Sequence, residues 1–299
     1  MRLARRALLV APAAATAAAT AAATSTGPFE AAMRAAEALG GGRLGVAIRD
    51  AATGREWGWR AGERFPLTST FKLVLAAAIL ARVDRGELRL AQPLAVTAAD
   101  MVPHAPVTGP RVGGAPMSLD ELCAAILVWS DNPAANLLLP LVGGPPGLTA
   151  FARGLGDAAF RLDRMETALN EATPGDPRDT TTPAAMRGTL GRLLLGDALS
   201  PASRGQLAGW LEGSRTGDAR LRAGLPAGWR CGEKTGGGGH GTANDIGILW
   251  PPGREPLLVA AYLTEAAAAP PAARDAALAA VGRAAALVAQ AGTGAGFAP

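Results

Sequence analysis

Between residues 28 and 39 the apolar side chains recur at helical spacing, and the run stops at Gly40-Gly41-Gly42, so a helix closed by glycine is predicted there. Residues 43–50 and 56–60 alternate as strands do and are joined by a turn around Thr53-Gly54. From Thr68 to about Gly213 the period becomes helical. Ser118 with Glu121 forms a capping box ahead of Leu122 to Val128, and Thr182-Pro183 and Ser200-Pro201 each pair an N-cap with proline at the first helical position. Arg161 to Thr182 is polar, carries prolines and shows no period; a loop of that length inside a compact domain is usually functional. Strand character returns over 229–236, 242–250 and 257–264, the last two separated by Pro251-Pro252-Gly253, and an alanine-rich helix is predicted over 271–291. Strands at both ends with helices between predict an α/β (α+β) chain. A discontinuous sheet domain (27–62 and 213–295) would enclose a helical domain (63–212), and such junctions favour binding sites.

The first 26 residues differ from the rest. Met1 to Arg6 is positive, Ala7 to Ala23 is weakly apolar, and small residues near Ala21 to Ala23 offer a cleavage site, which together predict a removed export signal. Arg5-Arg6 leaves open whether the route is twin-arginine. No later stretch is apolar enough to span a bilayer, so a periplasmic or secreted protein without stable membrane association is expected. The remainder of the 299 residues, in a chain 49% hydrophobic and 18% charged, is globular. Net charge falls from +4 to +1 once Arg2, Arg5 and Arg6 are set aside, which leaves no electrostatic footprint for nucleic acid. Two histidines and two cysteines, without H-E-x-x-H or paired C-x-x-C spacing, argue against a metal cofactor.

The scarce residues carry the chemistry. Of 29 basic residues only Lys72 and Lys234 are lysines. Lys72 lies three residues after Ser69 at a predicted helix start, where i and i+3 share a face. A serine hydroxyl is a weak nucleophile until a base takes its proton; a lysine amine can do so, whereas arginine does not deprotonate. Ser130-Asp131-Asn132 follows the apolar helix expected to end at Trp129, and taken alone is ordinary turn chemistry. Lys234-Thr235-Gly236 opens a run through Gly239, and strand alternation sets Lys234 and Gly236 on one face and Thr235 on the other. Glycines there admit close approach to backbone donors. His104 and His240 suggest no Ser-His-Asp arrangement, and the one tyrosine, Tyr262, falls in the last strand region.

Together S-x-x-K, S-D-N and K-T-G make the chain resemble the class A serine β-lactamases from about Gly40 to Thr264. Arg164 to Asn170 matches the R-x-E-x-x-L-N segment of that family, and Gly241-Thr242-Ala243-Asn244-Asp245 follows its glycine run. The resemblance implies the fold shared by serine β-lactamases and penicillin-binding proteins, a five-stranded antiparallel sheet flanked by helices plus an all-helical domain. It implies a monomer without cofactor or metal that hydrolyses penicillins and some cephalosporins, with weak action on carbapenems, since Thr68 and Gly238 stand where some carbapenem-hydrolysing relatives carry a disulfide. Ser69 would be the nucleophile, Lys72 or Glu166 through a water its base, and Ser130 the proton relay. The oxyanion hole would be the N–H groups of Ser69 and Gly237. Asn132 would bind the substrate amide, Lys234 and Thr235 of the Lys-Thr-Gly236 strand its carboxylate, and Glu166 with Asn170 the hydrolytic water. Arg164 and Asp179 would pair to shape their loop, and His104 would sit at the rim. Where many relatives place an arginine after the glycine run this chain is read as carrying Asn244, and Arg220 is expected to supply the guanidinium instead. Cys123 and Cys231 are expected to stay unpaired. The alternatives are a penicillin-binding carboxypeptidase or transpeptidase and a non-hydrolysing sensor; Glu166 with Asn170 argues against both.

Overall fold

The structure, a computed structural model, describes residues 27–291. The export signal expected over residues 1–26 lies outside them, as does the end of the sheet segment expected to reach residue 295. Helix α1 (Gly27–Gly40) leads into β1 (Arg43–Asp50) and β2 (Glu56–Trp59). Strand β3 (Phe65–Pro66) precedes a 3-10 turn, Thr68–Thr70, and α2 (Phe71–Asp84). A ribbon of β4 (Pro93–Leu94) and β5 (Met117–Ser118) is followed by α3 (Leu119–Val128), α4 (Asn132–Leu138) and α5 (Gly144–Gly154). After the long loop, β6 (Thr180–Thr181) leads to α6 (Pro183–Leu194) and α7 (Pro201–Glu212). The chain then runs through β7 (Arg230–Gly238), β8 (Thr242–Trp250), β9 (Leu257–Thr264) and α8 (Pro271–Ala291).

The main sheet is antiparallel with order β2-β1-β9-β8-β7. Its central strand β9 is buried on both faces, which is why Leu257 to Thr264 reads as a nearly unbroken apolar run rather than an alternation. Leu257, Val259, Ala261 and Leu263 enter the core beneath α1 and α8; Leu258, Ala260 and Tyr262 enter the core of the helices on the other face. Strand β7 lies at the edge of the sheet, so alternate N–H groups along it face away from β8.

Helix α2 is buried on every side from Phe71 to Ala81, the signature of a helix at the centre of a core rather than on a surface. Lys72 is the one charged residue in that stretch. Three details depart from the pattern-based expectation. The stretch predicted helical from Thr68 contains three short strands, because Met117–Ser118 pairs with Pro93–Leu94 and Thr180–Thr181 pairs with Phe65–Pro66, contacts invisible to a local period. That second pairing ends the long loop at Asp179 rather than Thr182. The strand expected at 229–236 is shifted to Arg230–Gly238, since its glycines pair with Thr242 and Ala243. The expected caps are present: Ser118 Oγ accepts from Glu121 N–H at 3.2 Å while Glu121 Oε2 accepts from Ser118 N–H at 2.8 Å. Thr182 and Ser200 likewise accept from Ala185 and Ser203.

Because α3 delivers the chain to Ser130, its first turn can be tested directly. Ser118→Ala removes the cap and should lower unfolding free energy by about 1 kcal/mol in urea titration; an unchanged midpoint would contradict the role of the cap.

Candidate active site

The 3-10 turn before α2 holds Ser69. Thr68 adopts φ +43°, a left-handed backbone that a threonine takes only when its surroundings impose it. The imposing group is Asn244 on β8, whose Nδ2 donates to Pro66 O at 2.9 Å, Leu67 O at 3.2 Å and Thr68 Oγ1 at 3.0 Å. Asn244 thus points to the helical face and braces the backbone ahead of the nucleophile. The neighbouring Gly236 leaves the room required, since a Cβ there would lie 2.2 Å from Thr68 Oγ1.

Lys72 Nζ lies 3.0 Å from Ser69 Oγ, 2.8 Å from Ser130 O, 3.4 Å from Ser130 Oγ and 2.5 Å from Asn132 Oδ1. Glu166 Oε1 approaches the same nitrogen at 2.8 Å, with both side chains fully buried. Burial pushes the Lys72 amine below the ordinary lysine range, and Glu166 beside it pulls back toward the charged form. Five oxygens around a group with at most three protons leave at least two contacts that are not donated from Lys72. Lys234 Nζ donates to Ser130 Oγ at 3.0 Å and to Thr235 O at 2.7 Å. Burial, then the charge of Lys72, holds its amine well below the usual value. Ser130 Oγ thus lies between the two lysines of the chain. Its backbone is left-handed, φ +61°, and Asp131 locks the turn by accepting from the N–H groups of Val107, Thr108 and Ala134 and from Thr108 Oγ1.

Glu166 is carried by the 161–179 loop. Asn170 Nδ2 donates to Glu166 Oε2 at 2.6 Å. Asn136 clamps the Glu166 backbone from both sides, donating to its O at 2.9 Å and accepting from its N–H at 3.0 Å; the Glu166–Thr167 peptide is cis. Asp179 Oδ1 accepts from the N–H groups of Asp163 and Arg164, and its Oδ2 accepts from Arg164 Nε at 2.6 Å, so the expected pair is formed and is part-buried. Arg164 also bonds Glu171. The loop packs on the glycine run: Gly239 N–H donates to Asn170 O at 2.8 Å, and a Cβ at Gly238 would lie 2.7 Å from the same oxygen. At Gly237, by contrast, a Cβ would find nothing nearer than 3.9 Å.

At the other end, Arg220 Nε donates to Asp275 at 2.8 Å, while its NH1 donates to Gly236 O and Asn244 O, each at 2.8 Å. Thr216 Oγ1 lies 2.6 Å from Thr235 Oγ1. His104 is exposed; its Nε2 is 2.9 Å from Trp129 O and its carbonyl accepts from Asn132 N–H, so it borders the Ser-Asp-Asn turn. Cys123 and Cys231 are free and buried in separate cores, on opposite faces of the sheet. No cluster of three or more His, Cys, Asp or Glu that could hold a metal occurs among the described residues. No helix among them is long and apolar enough to cross a membrane.

Sequence reasoning missed Asn136, Thr216, Asp275 and the bracing action of Asn244. Asn136 left a trace, lying four residues after Asn132 on the same face of α4. The others meet the site only through contacts between segments distant in sequence: Asn244 from β8, Thr216 from the connection after α7 and Asp275 from α8.

A serine and two lysines joined through one hydroxyl, at the junction of an antiparallel sheet and a helical core, define an active-site-serine enzyme. Over residues 28–291 the sequence matches the beta-lactamase enzyme family. It is 52% identical over 223 residues to β-lactamase L2 of Stenotrophomonas maltophilia, covering 74% of this chain and 73% of that protein. It is 48% identical over 233 residues to β-lactamase CTX-M-8 of Citrobacter amalonaticus, covering 78% and 80%. Among solved structures, an ancestral class A β-lactamase is 58% identical with a TM-score of 0.83, covering 87% of this chain and 98% of that one. A β-lactamase from Xanthomonas campestris is 57% identical with a TM-score of 0.83, covering 86% and 96%. The chain belongs to the beta-lactamase enzyme family, as a class A serine β-lactamase.

The Arg164–Asp179 pair supports a direct prediction. Asp179→Ala leaves two backbone N–H groups and a part-buried guanidinium short of an acceptor, so unfolding free energy should fall by about 3 kcal/mol in urea titration. A loss under about 1 kcal/mol would show the loop to be held by other contacts.

Proposed function

We propose that this enzyme hydrolyses the β-lactam ring of penicillins and some cephalosporins through an acyl-enzyme on Ser69, and so confers resistance to them. The observation that carries this is Lys72 Nζ held 3.0 Å from Ser69 Oγ and 2.8 Å from Glu166 Oε1, with Asn170 on the other oxygen of Glu166. Ser69 Oγ attacks the lactam carbonyl and its proton passes to Lys72, whose amine burial holds below the ordinary lysine range. Glu166, acting through a water, is the second candidate for that acceptance. The N–H groups of Ser69 and Gly237 receive the developing oxyanion; the edge position of β7 and the open space at Gly237 support this. Ser130 Oγ, in contact with both lysines, returns a proton to the departing ring nitrogen.

Lys234, Thr235 and Arg220 bind the substrate carboxylate beside Gly236, and Asn132 the side-chain amide, with His104 at the rim. Glu166 and Asn170 then hold a water against the ester, and Glu166 removes its proton as hydrolysis regenerates Ser69. Arg164 and Asp179 keep that loop in shape. A transpeptidase or a sensor that stays acylated has no use for such a carboxylate. The proposal includes export by the segment at residues 1–26 to the periplasm or the exterior, action as a monomer without nucleic acid, cofactor or metal, and the domain division 27–62 with 213–295 against 63–212.

Two measurements test it. With benzylpenicillin, Glu166→Ala should acylate yet not deacylate, leaving a penicilloyl adduct on Ser69 that mass spectrometry detects after long incubation; rapid turnover would overturn the role of Glu166. Arg220→Ala should lower kcat/KM for penicillins by roughly ten- to a hundredfold, the range of a lost charge-assisted contact of about 1.5–3 kcal/mol. Wild-type kcat/KM in that variant would place the anchor elsewhere.

A further inference from the structure

On the face of β7 and β8 turned away from Lys234 lie two fully buried acids, Glu233 and Asp245. Register sets Asp245 directly opposite Thr235, so Glu233 stands diagonally across the strand pair on the same face, within reach of a long side chain. The segment 214–224, which brings Thr216 and Arg220 to the site, rests on these two carboxyls. Asp245 Oδ2 accepts from Leu221 N–H at 3.1 Å, and Glu233 Oε1 accepts from Arg222 Nε at 3.1 Å. The Gly217 backbone lies so close that a Cβ there would fall 2.1 Å from Glu233 Oε1, an approach only glycine permits.

The other groups facing the pair are of both signs. Arg222 also approaches Asp218 at 3.5 Å, and the Cys231 thiol donates to Glu233 Oε2 at 3.4 Å. Arg220 and Asp275 stand beside it from the segment and from α8, and Lys234 lies on the opposite face of the sheet. Burial, and then the charge of Glu233, holds the Asp245 carboxyl well above the usual carboxylate range. Arg222 is the guanidinium that meets the pair directly, through Glu233.

We propose that Asp245 and Glu233 are positioning residues for the substrate-carboxylate anchor: by fixing Leu221 and Arg222 they set the reach of Arg220 and Thr216 toward the Lys-Thr-Gly strand. This rests on Arg220 being part of that anchor. Neither acid touches the substrate, so removing Asp245 should act through Arg220 on KM and leave the acyl chemistry of Ser69 intact.

The test is kcat and KM for benzylpenicillin in Asp245→Ala, Asp245→Asn, Arg220→Ala and the Asp245→Ala/Arg220→Ala double variant. Asp245→Ala should raise KM about tenfold with kcat within about twofold, and the double variant should be no worse than Arg220→Ala alone. Asp245→Asn, whose amide oxygen can still accept from Leu221 N–H, should keep KM within about twofold of wild type. Arg222→Gln, a change at a partly exposed side chain that cuts the tie to Glu233 without emptying the core, should raise KM by about three- to tenfold. It decides the matter if Asp245→Ala does not fold. An unchanged KM in Asp245→Ala or in Arg222→Gln, a fall in kcat at constant KM, or defects that multiply in the double variant would overturn the positioning role. An Arg220→Ala enzyme with wild-type KM would instead sink the anchor itself and the proposal with it.

Discussion

Everything in the site depends on one buried nitrogen. Lys72 Nζ belongs to the stretch of α2 from Phe71 to Ala81, otherwise apolar and buried on every side, and a charge there is tolerated only because five oxygens converge on it. They come from four parts of the fold: Ser69 from the turn before α2, Ser130 with two oxygens from the turn after α3, Asn132 from the start of α4, and Glu166 from the long loop. Satisfying Lys72 therefore fixes the relative placement of four segments. The stability demand of a buried amine and the geometric demand of a proton-transfer centre are met by the same contacts.

The surrounding structure reads as support for that convergence. Asn244 holds the strained Thr68 backbone from the sheet, Asp131 closes the left-handed turn at Ser130, and Asn136 grips Glu166 on both sides. Asp179 ties off the far end of the Glu166 loop through Arg164. The edge strand β7 closes the site, with Lys234 reaching Ser130 from one face and Thr235 meeting Thr216 on the other. Its glycines let the loop and the Thr68 turn approach closer than side chains would allow.

Much of this was legible in the chain itself. With twenty-seven arginines and two lysines, the placement of Lys72 three residues after a serine and of Lys234 at the head of a glycine run marked both as chemically selected. Caps at Ser118, Thr182 and Ser200 and the apolar run of β9 announced their elements, because caps and periods are local. What stayed hidden is nonlocal. The β3–β6 pairing and the bracing of Thr68 by Asn244 join residues more than a hundred positions apart, and no spacing rule connects them. Arg220 was found by its resemblance to a pattern, yet its dependence on Asp275 and the Glu233–Asp245 floor appears only once the strands are in register.

The presence of just two lysines allows the central claim to be measured in isolation. With lysine labelled in its side-chain amine, a nuclear magnetic resonance titration of the enzyme contains two amine signals, one from Lys72 and one from Lys234. The account predicts that the Lys72 signal titrates below the free-lysine range and moves lower still in Glu166→Gln, because the carboxylate that favours its charged form has gone. A Lys72 amine that titrates like free lysine and ignores the loss of Glu166 would contradict it.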